Sequence, residues 1–103
     1  IRETDGLALS SRNLYLSASD RKLAPLLYAE MQETANQIAK GTPVDAALAS
    51  AKTRLTKAGF GKIDYFDLRH SDSLQPAETL VPNCRIFAAI WLGTTRLIDN
   101  YAL

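Results

Sequence analysis

Cys84-Arg85-Ile86-Phe87-Ala88-Ala89-Ile90-Trp91-Leu92-Gly93-Thr94-Thr95-Arg96-Leu97-Ile98-Asp99-Asn100-Tyr101 is the stretch from which the fold can be read. Its first half is apolar on both alternating faces, with Ile86, Ala88 and Ile90 against Phe87, Ala89 and Trp91. That pattern predicts a central strand covered on both sides. Gly93-Thr94 puts glycine first, the order a II′ turn prefers, and returns the chain as a second strand over Thr95 to Tyr101. Upstream, Ile63 to Arg69 is short and rich in β-formers, a third strand. Ser71 to Asn83, with Pro76 and Pro82, is a connecting loop with room for one helical turn.

Further upstream the period becomes helical. Ser17 is the expected N-cap, with Asp20 in the first turn. Leu23, Leu27, Met31, Ala35 and Ile38 form one face, Glu30, Glu33, Gln37 and Lys40 lie elsewhere, and Gly41 ends the helix. Pro25 interrupts this pattern and predicts either a kink near Arg21 or a late start. Thr42-Pro43-Val44-Asp45 opens a second helix, Thr42 as N-cap and Pro43 at the first helical position. It runs to about Ala58 before Gly59 and buries Val44, Leu48, Ala51, Leu55 and Ala58. The fold class is α+β: an antiparallel helix pair packed on a small, mainly antiparallel three-stranded sheet. There is no internal repeat.

Composition bounds the rest. With 103 residues, 47% of them apolar, the chain makes one domain. Twelve Lys and Arg against eleven Asp and Glu leave a net charge of +1, so no bulk field recruits nucleic acid or an anionic membrane, and any anion must be caught locally. The single cysteine, Cys84, excludes an internal disulfide framework and fits a reducing cytosol; one histidine, His70, leaves little for metal chemistry, so no metal site is expected. The longest apolar run, Ile86 to Leu92, falls far short of the roughly 20 residues that span a bilayer. The start, Ile1-Arg2-Glu3-Thr4-Asp5-Gly6, lacks an initiator Met and lies in patterned sequence, so the chain is expected to be a piece of a longer protein.

Ile1 to Leu16 reads as a loop closing into a short helical turn, and within it Ser10, Ser11 and Arg12 set two hydroxyl donors beside a permanently charged fork. Phosphate oxygens need that combination. The same Ser-Ser-Arg-Asn run also reads as helix capping beside a solvated arginine, which composition alone favours. His70 reads as an exposed strand-end residue, Cys84 as a small core residue, and Tyr65 and Trp91 as core or interface aromatics. Arg96-Leu97-Ile98-Asp99-Asn100 reads as structural pairing on an edge strand.

Arg2-Glu3-Thr4-Asp5-Gly6-Leu7-Ala8-Leu9-Ser10-Ser11-Arg12-Asn13-Leu14-Tyr15-Leu16 resembles the signature R-E-x-D-G-L-A-M-S-S-R-N-x-Y-L of the pantothenate synthetase (pantoate-beta-alanine ligase) family. Ala88-Ala89 to Gly93 and Thr95-Arg96-Leu97-Ile98-Asp99-Asn100 resemble the close of the same family, so the likeness spans essentially the whole chain. The resemblance implies a C-terminal lid domain over residues 17–103, preceded in 1–16 by a hinge and an ATP-phosphate-binding loop. It also implies a missing N-terminal Rossmann-like domain with the main catalytic residues.

The implied enzyme is cytoplasmic and joins pantoate to beta-alanine with ATP and Mg2+ through a pantoyl-adenylate, a step toward coenzyme A. The fragment alone is expected to be inactive, and neither nucleic acid nor membrane is a partner. Family correspondence assigns ATP contacts to Ser10, Ser11 and Arg12, with Leu9 beside them and Ile1 near the adenosine end; Arg12 also stabilises charge in the transition state. Leu9 stands where the family has Met, and the loop has no lysine, so Arg12 must supply the cation. Two other readings compete: a stand-alone α+β interaction module, and the lid of another class I nucleotidyltransferase.

Overall fold

The computed structural model describes residues 2–8, 10–70, 76 and 84–102; the side chains of Ser11 and Arg12 fall outside the described set, as do residues Ile1, Leu9 and the expected loop apart from Pro76. A 3-10 helix, Ser11–Tyr15, leads into α1 (Ala18–Leu23), α2 (Leu26–Ala39) and α3 (Val44–Ala58), and then β1 (Ile63–His70), β2 (Cys84–Leu92) and β3 (Thr95–Ala102). The architecture is the expected α+β one.

Helix punctuation follows local chemistry. The Ser17 hydroxyl accepts the Asp20 amide at 3.1 Å, capping α1. Pro25 has no N–H for the Arg21 carbonyl, and the chain breaks there into two helices, with Ala24 and Pro25 between them and Leu27 N–H bonding the Ala24 carbonyl at 3.1 Å. The proline therefore ends one helix and starts another rather than kinking one at Arg21. Gly41, at φ 104°, closes α2 with its own N–H on Ile38 O and the Thr42 N–H on Gln37 O. One expected cap is displaced: Pro43, not Thr42, is the N-cap of α3, its carbonyl taking the Ala47 amide at 3.0 Å.

The sheet runs β1-β2-β3, antiparallel throughout, with Phe66 opposite Ala88 and Ile90 opposite Leu97. Gly93, at φ 62°, makes the hairpin turn between the paired Leu92 and Thr95. A bulge between Ile63 and Tyr65 is absorbed in β1.

Both long helices cover the same side of the sheet. Leu27, Met31, Ala35 and Ile38 of α2 meet Val44, Ala47, Ala51 and Leu55 of α3, and both sets join Phe66, Leu68, Cys84, Ile86, Ala88, Ile90, Leu92 and Leu97 in one core. The α3 stripe differs from expectation. Ala47 is buried where Leu48 was expected and Ala58 is exposed, because the 44, 47, 51, 55 row is the one turned to α2 and the sheet.

The other side of β2 is also unlike the expectation of full cover. Ala89 is buried, but Phe87 and Trp91 are only partly so, since the helices shield a single face. Antiparallel helix packing is fastened by Arg54 of α3, whose Nε donates to both carboxylate oxygens of Glu30 at 2.9 Å. Glu30, off the expected apolar face, is buried because this partner lets its charge be buried.

Candidate phosphate site and its supports

The opening segment folds back on itself before it reaches the 3-10 helix. Glu3 N–H bonds Leu7 O at 2.8 Å, Gly6 N–H bonds Glu3 O at 3.0 Å, and Arg2 bridges to Ala8. Asn13 ties the 3-10 helix to this turn: its side-chain amide donates to Ala8 O at 2.9 Å and to Glu3 Oε2 at 3.2 Å, while its own N–H bonds Ser10 O. Ser10 is thus exposed at the junction of two braced turns. The backbone of Ser11 and Arg12 opens the 3-10 helix; the other assigned positions, Ile1 and Leu9 and the side chains of Ser11 and Arg12, lie outside the described residues.

Arg2 clamps this segment to the sheet. Its two terminal nitrogens meet the Asp99 carboxylate at 2.6 and 2.8 Å, Nη2 also donates to Asn100 O at 2.9 Å, and Nη1 to Gly6 O at 3.0 Å. The guanidinium lies 3.9 Å from the centre of the Tyr28 ring, which itself meets Tyr101 edge-on. Asp99, before burial or any other influence, raises the Arg2 pKa above its ordinary value. A second brace is more exposed: Arg21 of α1 pairs with Asp5 at 2.7 Å and with Glu3 at 3.2 Å. Asp5 is held below the usual carboxylate range, chiefly by Arg21.

Beside the 3-10 helix, Arg96 on β3 donates from Nε to Asp64 Oδ2 at 2.8 Å, and the Trp91 indole N–H reaches the same oxygen at 3.2 Å. Arg96, more than Trp91, keeps Asp64 ionised below the ordinary carboxylate range. A small cleft of about 40 Å³ is lined by Ser10, Asn13, Arg96 and Asp99 together with apolar neighbours that include Leu7 and Ile98. A broader basin of about 450 Å³ is lined by Tyr15, Trp91, Thr94, Thr95 and Arg96.

Of the other residues singled out in the sequence, Cys84 is buried as expected, and His70 ends β1 but is half-buried rather than exposed. Among the described residues no three acidic, histidine or cysteine side chains gather to hold a metal, and no helix is long and apolar enough to cross a membrane. Sequence reasoning missed the Arg2–Asp99 clamp. Both residues stood in quoted motifs, but 97 positions separate them; the available signal was a carboxylate at position 99 between Leu97 and Tyr101 on one alternating face of the strand.

Three comparisons bear on this arrangement. The sequence profile of the family described as Pantoate-beta-alanine ligase matches residues 1–102. Pantothenate synthetase of Hahella chejuensis is 56% identical over the whole chain, and that of Roseobacter denitrificans is 50% identical over 97% of it. The chain spans about a third of the length of these curated relatives, 36% and 35% respectively. Pantothenate synthetase of Thermus thermophilus superposes with a TM-score of 0.87 at 38% identity, covering 98% of this chain and 37% of that one. A pantoate-beta-alanine ligase of Francisella tularensis, complexed with beta-gamma ATP and beta-alanine, superposes with a TM-score of 0.63 at 28% identity, over 99% of this chain and 30% of that one. With a family profile covering all but its last residue, this chain belongs to the pantoate-beta-alanine ligase family.

Proposed function

We propose that the chain is the lid portion of an ATP-dependent ligase that joins pantoate to beta-alanine through a pantoyl-adenylate, and that it grips the nucleotide's phosphates with Ser10, Ser11 and Arg12. The observation that carries this reading is the braced, exposed Ser10 junction at the mouth of the 3-10 helix, within a segment matching the family's motif. The complex of the Francisella relative with beta-gamma ATP and beta-alanine supports the substrate class. Family membership weighs against a stand-alone interaction module and against the lid of a different nucleotidyltransferase.

The chemistry sets the task of each residue. When the pantoate carboxylate attacks the α-phosphorus, the bond to the β-phosphate oxygen breaks and negative charge grows on the departing pyrophosphate. Donors already aimed at that charge lower the barrier. Arg12 offers the fixed cation, Ser10 and Ser11 the hydroxyls, and Ile1 and Leu9 apolar contact toward the nucleotide. Mg2+, were it bound with the nucleotide, would add to the neutralisation of phosphate charge that Arg12 supplies from this chain.

Residues 1–16 serve as hinge and phosphate loop, 17–103 as the lid body, and closure over ATP would exclude water from the adenylate. The pivot is taken to lie at the Arg2 end of the hinge, because Arg2, Glu3 and Asp5 are each ion-paired to the lid body.

In the full-length enzyme, Arg12→Ala is expected to lower kcat/KM for ATP by roughly 100-fold. Near wild-type steady-state kinetics would remove Arg12 from the mechanism. The 103-residue chain alone is expected to bind ATP weakly, and calorimetry giving a micromolar Kd would contradict the division of labour.

A further inference from the structure

Among the described residues, the arginine of the Thr95-Arg96-Leu97 run has a partner for only one of its nitrogens. Nε is spent on Asp64, whereas Nη1 and Nη2 make no hydrogen bond among the described residues, and the side chain keeps 37% of its surface open to solvent. Arg96 also lines both hollows, sharing the narrow cleft with Ser10 and the basin with Thr94 and Thr95.

Resting on the phosphate reading above, we infer that the terminal guanidinium nitrogens of Arg96 form a second contact to a phosphate oxygen of the nucleotide held at Ser10. The fork of a guanidinium matches two phosphate oxygens, and the bond to Asp64, made at Nε, leaves that fork open. Neighbouring charges permit it. Asp64 is countered by both Arg96 and Lys62, the latter at 3.7 Å, so that trio is net positive. Asp99, which also lines the cleft, is already neutralised by Arg2. Asp20 approaches Gly93 at the hairpin, beyond the Thr94 end of the basin.

The test uses the full-length ligase with Arg96→Gln, Arg96→Lys, Asp64→Asn and Arg12→Ala, reading KM for ATP, KM for beta-alanine and Tm. Arg96→Gln is expected to raise KM for ATP about tenfold and leave KM for beta-alanine unchanged, the usual size of one lost charge-assisted contact. Asp64→Asn breaks the same ion pair but removes a negative charge beside the phosphates, so KM for ATP should hold or fall. A rise in KM for ATP confined to the arginine end of the salt bridge supports the contact. Equal rises from both variants, or no change in Arg96→Gln, mark a purely structural pair and overturn the proposal.

Should Arg96→Gln not fold, Arg96→Lys decides: it keeps the charge and loses the fork, so a rise of about threefold at unchanged Tm supports the contact and an unchanged KM overturns it. An effect of Arg12→Ala without one of Arg96→Gln ends only this inference. Silence from both ends the phosphate reading as well.

Discussion

Replacing Asp99 by Asn keeps the shape of the side chain and deletes the charge that holds Arg2. The size of the loss follows from where the pair sits. Ion pairs in full solvent are worth about 0–1 kcal/mol, and breaking a fully buried one costs about 3–5 kcal/mol. Here the carboxylate side chain is 8% exposed and the guanidinium 26%, so the pair falls between those limits. Arg2 also keeps two carbonyl acceptors and the Tyr28 ring after the change, which lessens its penalty.

We therefore expect Asp99→Asn to destabilise the chain by about 2 kcal/mol, which for a domain of roughly 100 residues lowers Tm by about 8–16 °C. The assay is urea and thermal unfolding followed by circular dichroism, with Asp5→Asn, at the more exposed ion pair with Arg21, as the comparison expected to shift the midpoint far less. In a double-mutant cycle, Arg2→Met and Asp99→Asn should couple by more than about 1 kcal/mol. An Asp99→Asn variant within about 0.5 kcal/mol of the parent would refute the claim that this clamp fastens the opening segment.

Three further outcomes test other parts of the structure. The Thr34 hydroxyl is buried in α2 with no hydrogen-bond partner among the described residues, so Thr34→Val, equal in shape, should hold or raise stability by up to about 1 kcal/mol in urea titrations; a loss of that size would mean the hydroxyl is bonded after all. Gly6 stands at φ 95°, where an added Cβ would lie 2.6 Å from Tyr28 Cδ2, whereas Gly41 at φ 104° has nothing within 4 Å of that point. Gly6→Ala should accordingly cost at least about 1 kcal/mol more than Gly41→Ala, and equal Tm values would deny the contact with Tyr28. Asp5 and Asp64 are held below the usual carboxylate range by Arg21 and Arg96, so their ion pairs stabilise the fold above about pH 4 and are lost as the pH falls through the folded-state values. Urea midpoints measured from pH 7 down to pH 3 should drop less steeply for Asp64→Asn than for the parent, and parallel curves would rule out that linkage.

Most of the fold was legible because its signals are local. Ser17, Gly41, Gly59 and Gly93 each act within a few residues of themselves, and the alternation of Cys84 to Leu92 names a strand without reference to anything distant. The misreadings share the opposite character. Nothing near Glu30 in the sequence shows that it is buried until Arg54, on another helix, arrives to satisfy it. Ala47 and Leu48 are equally placed for an apolar stripe, and the larger residue is the natural guess; the packing of α3 against α2 selects the smaller. Full cover of β2 requires knowing on which side both helices land, which no periodicity inside the strand records. The candidate site divides in the same way: adjacent residue types at Ser10 to Arg12 suggested a phosphate grip that only the family resemblance favoured over helix capping, while the residue that braces the segment through Arg2, Asp99, comes from the last strand.

That last point gives the two ends of the family resemblance a common physical cause. Arg2-Glu3-Thr4-Asp5-Gly6 and Leu97-Ile98-Asp99-Asn100 look like separate signatures in the sequence, yet the first supplies the guanidinium and the second the carboxylate of one clamp. Arg2 also donates to the Gly6 carbonyl, and Asn13 to Ala8 and Glu3, so the segment on either side of Ser10 is braced on itself and tied through Arg2 to a sheet whose inner face is fully packed. A donor group carried this way moves with the body or not at all. For a loop proposed to meet charge that develops only in the transition state, that rigidity matters more than added contacts, since donors that must reorganise as the charge grows lose much of their benefit. Loosening Asp99 should accordingly lower kcat of the full-length ligase more than it raises KM for ATP, although Asp99 touches Arg2 rather than the nucleotide.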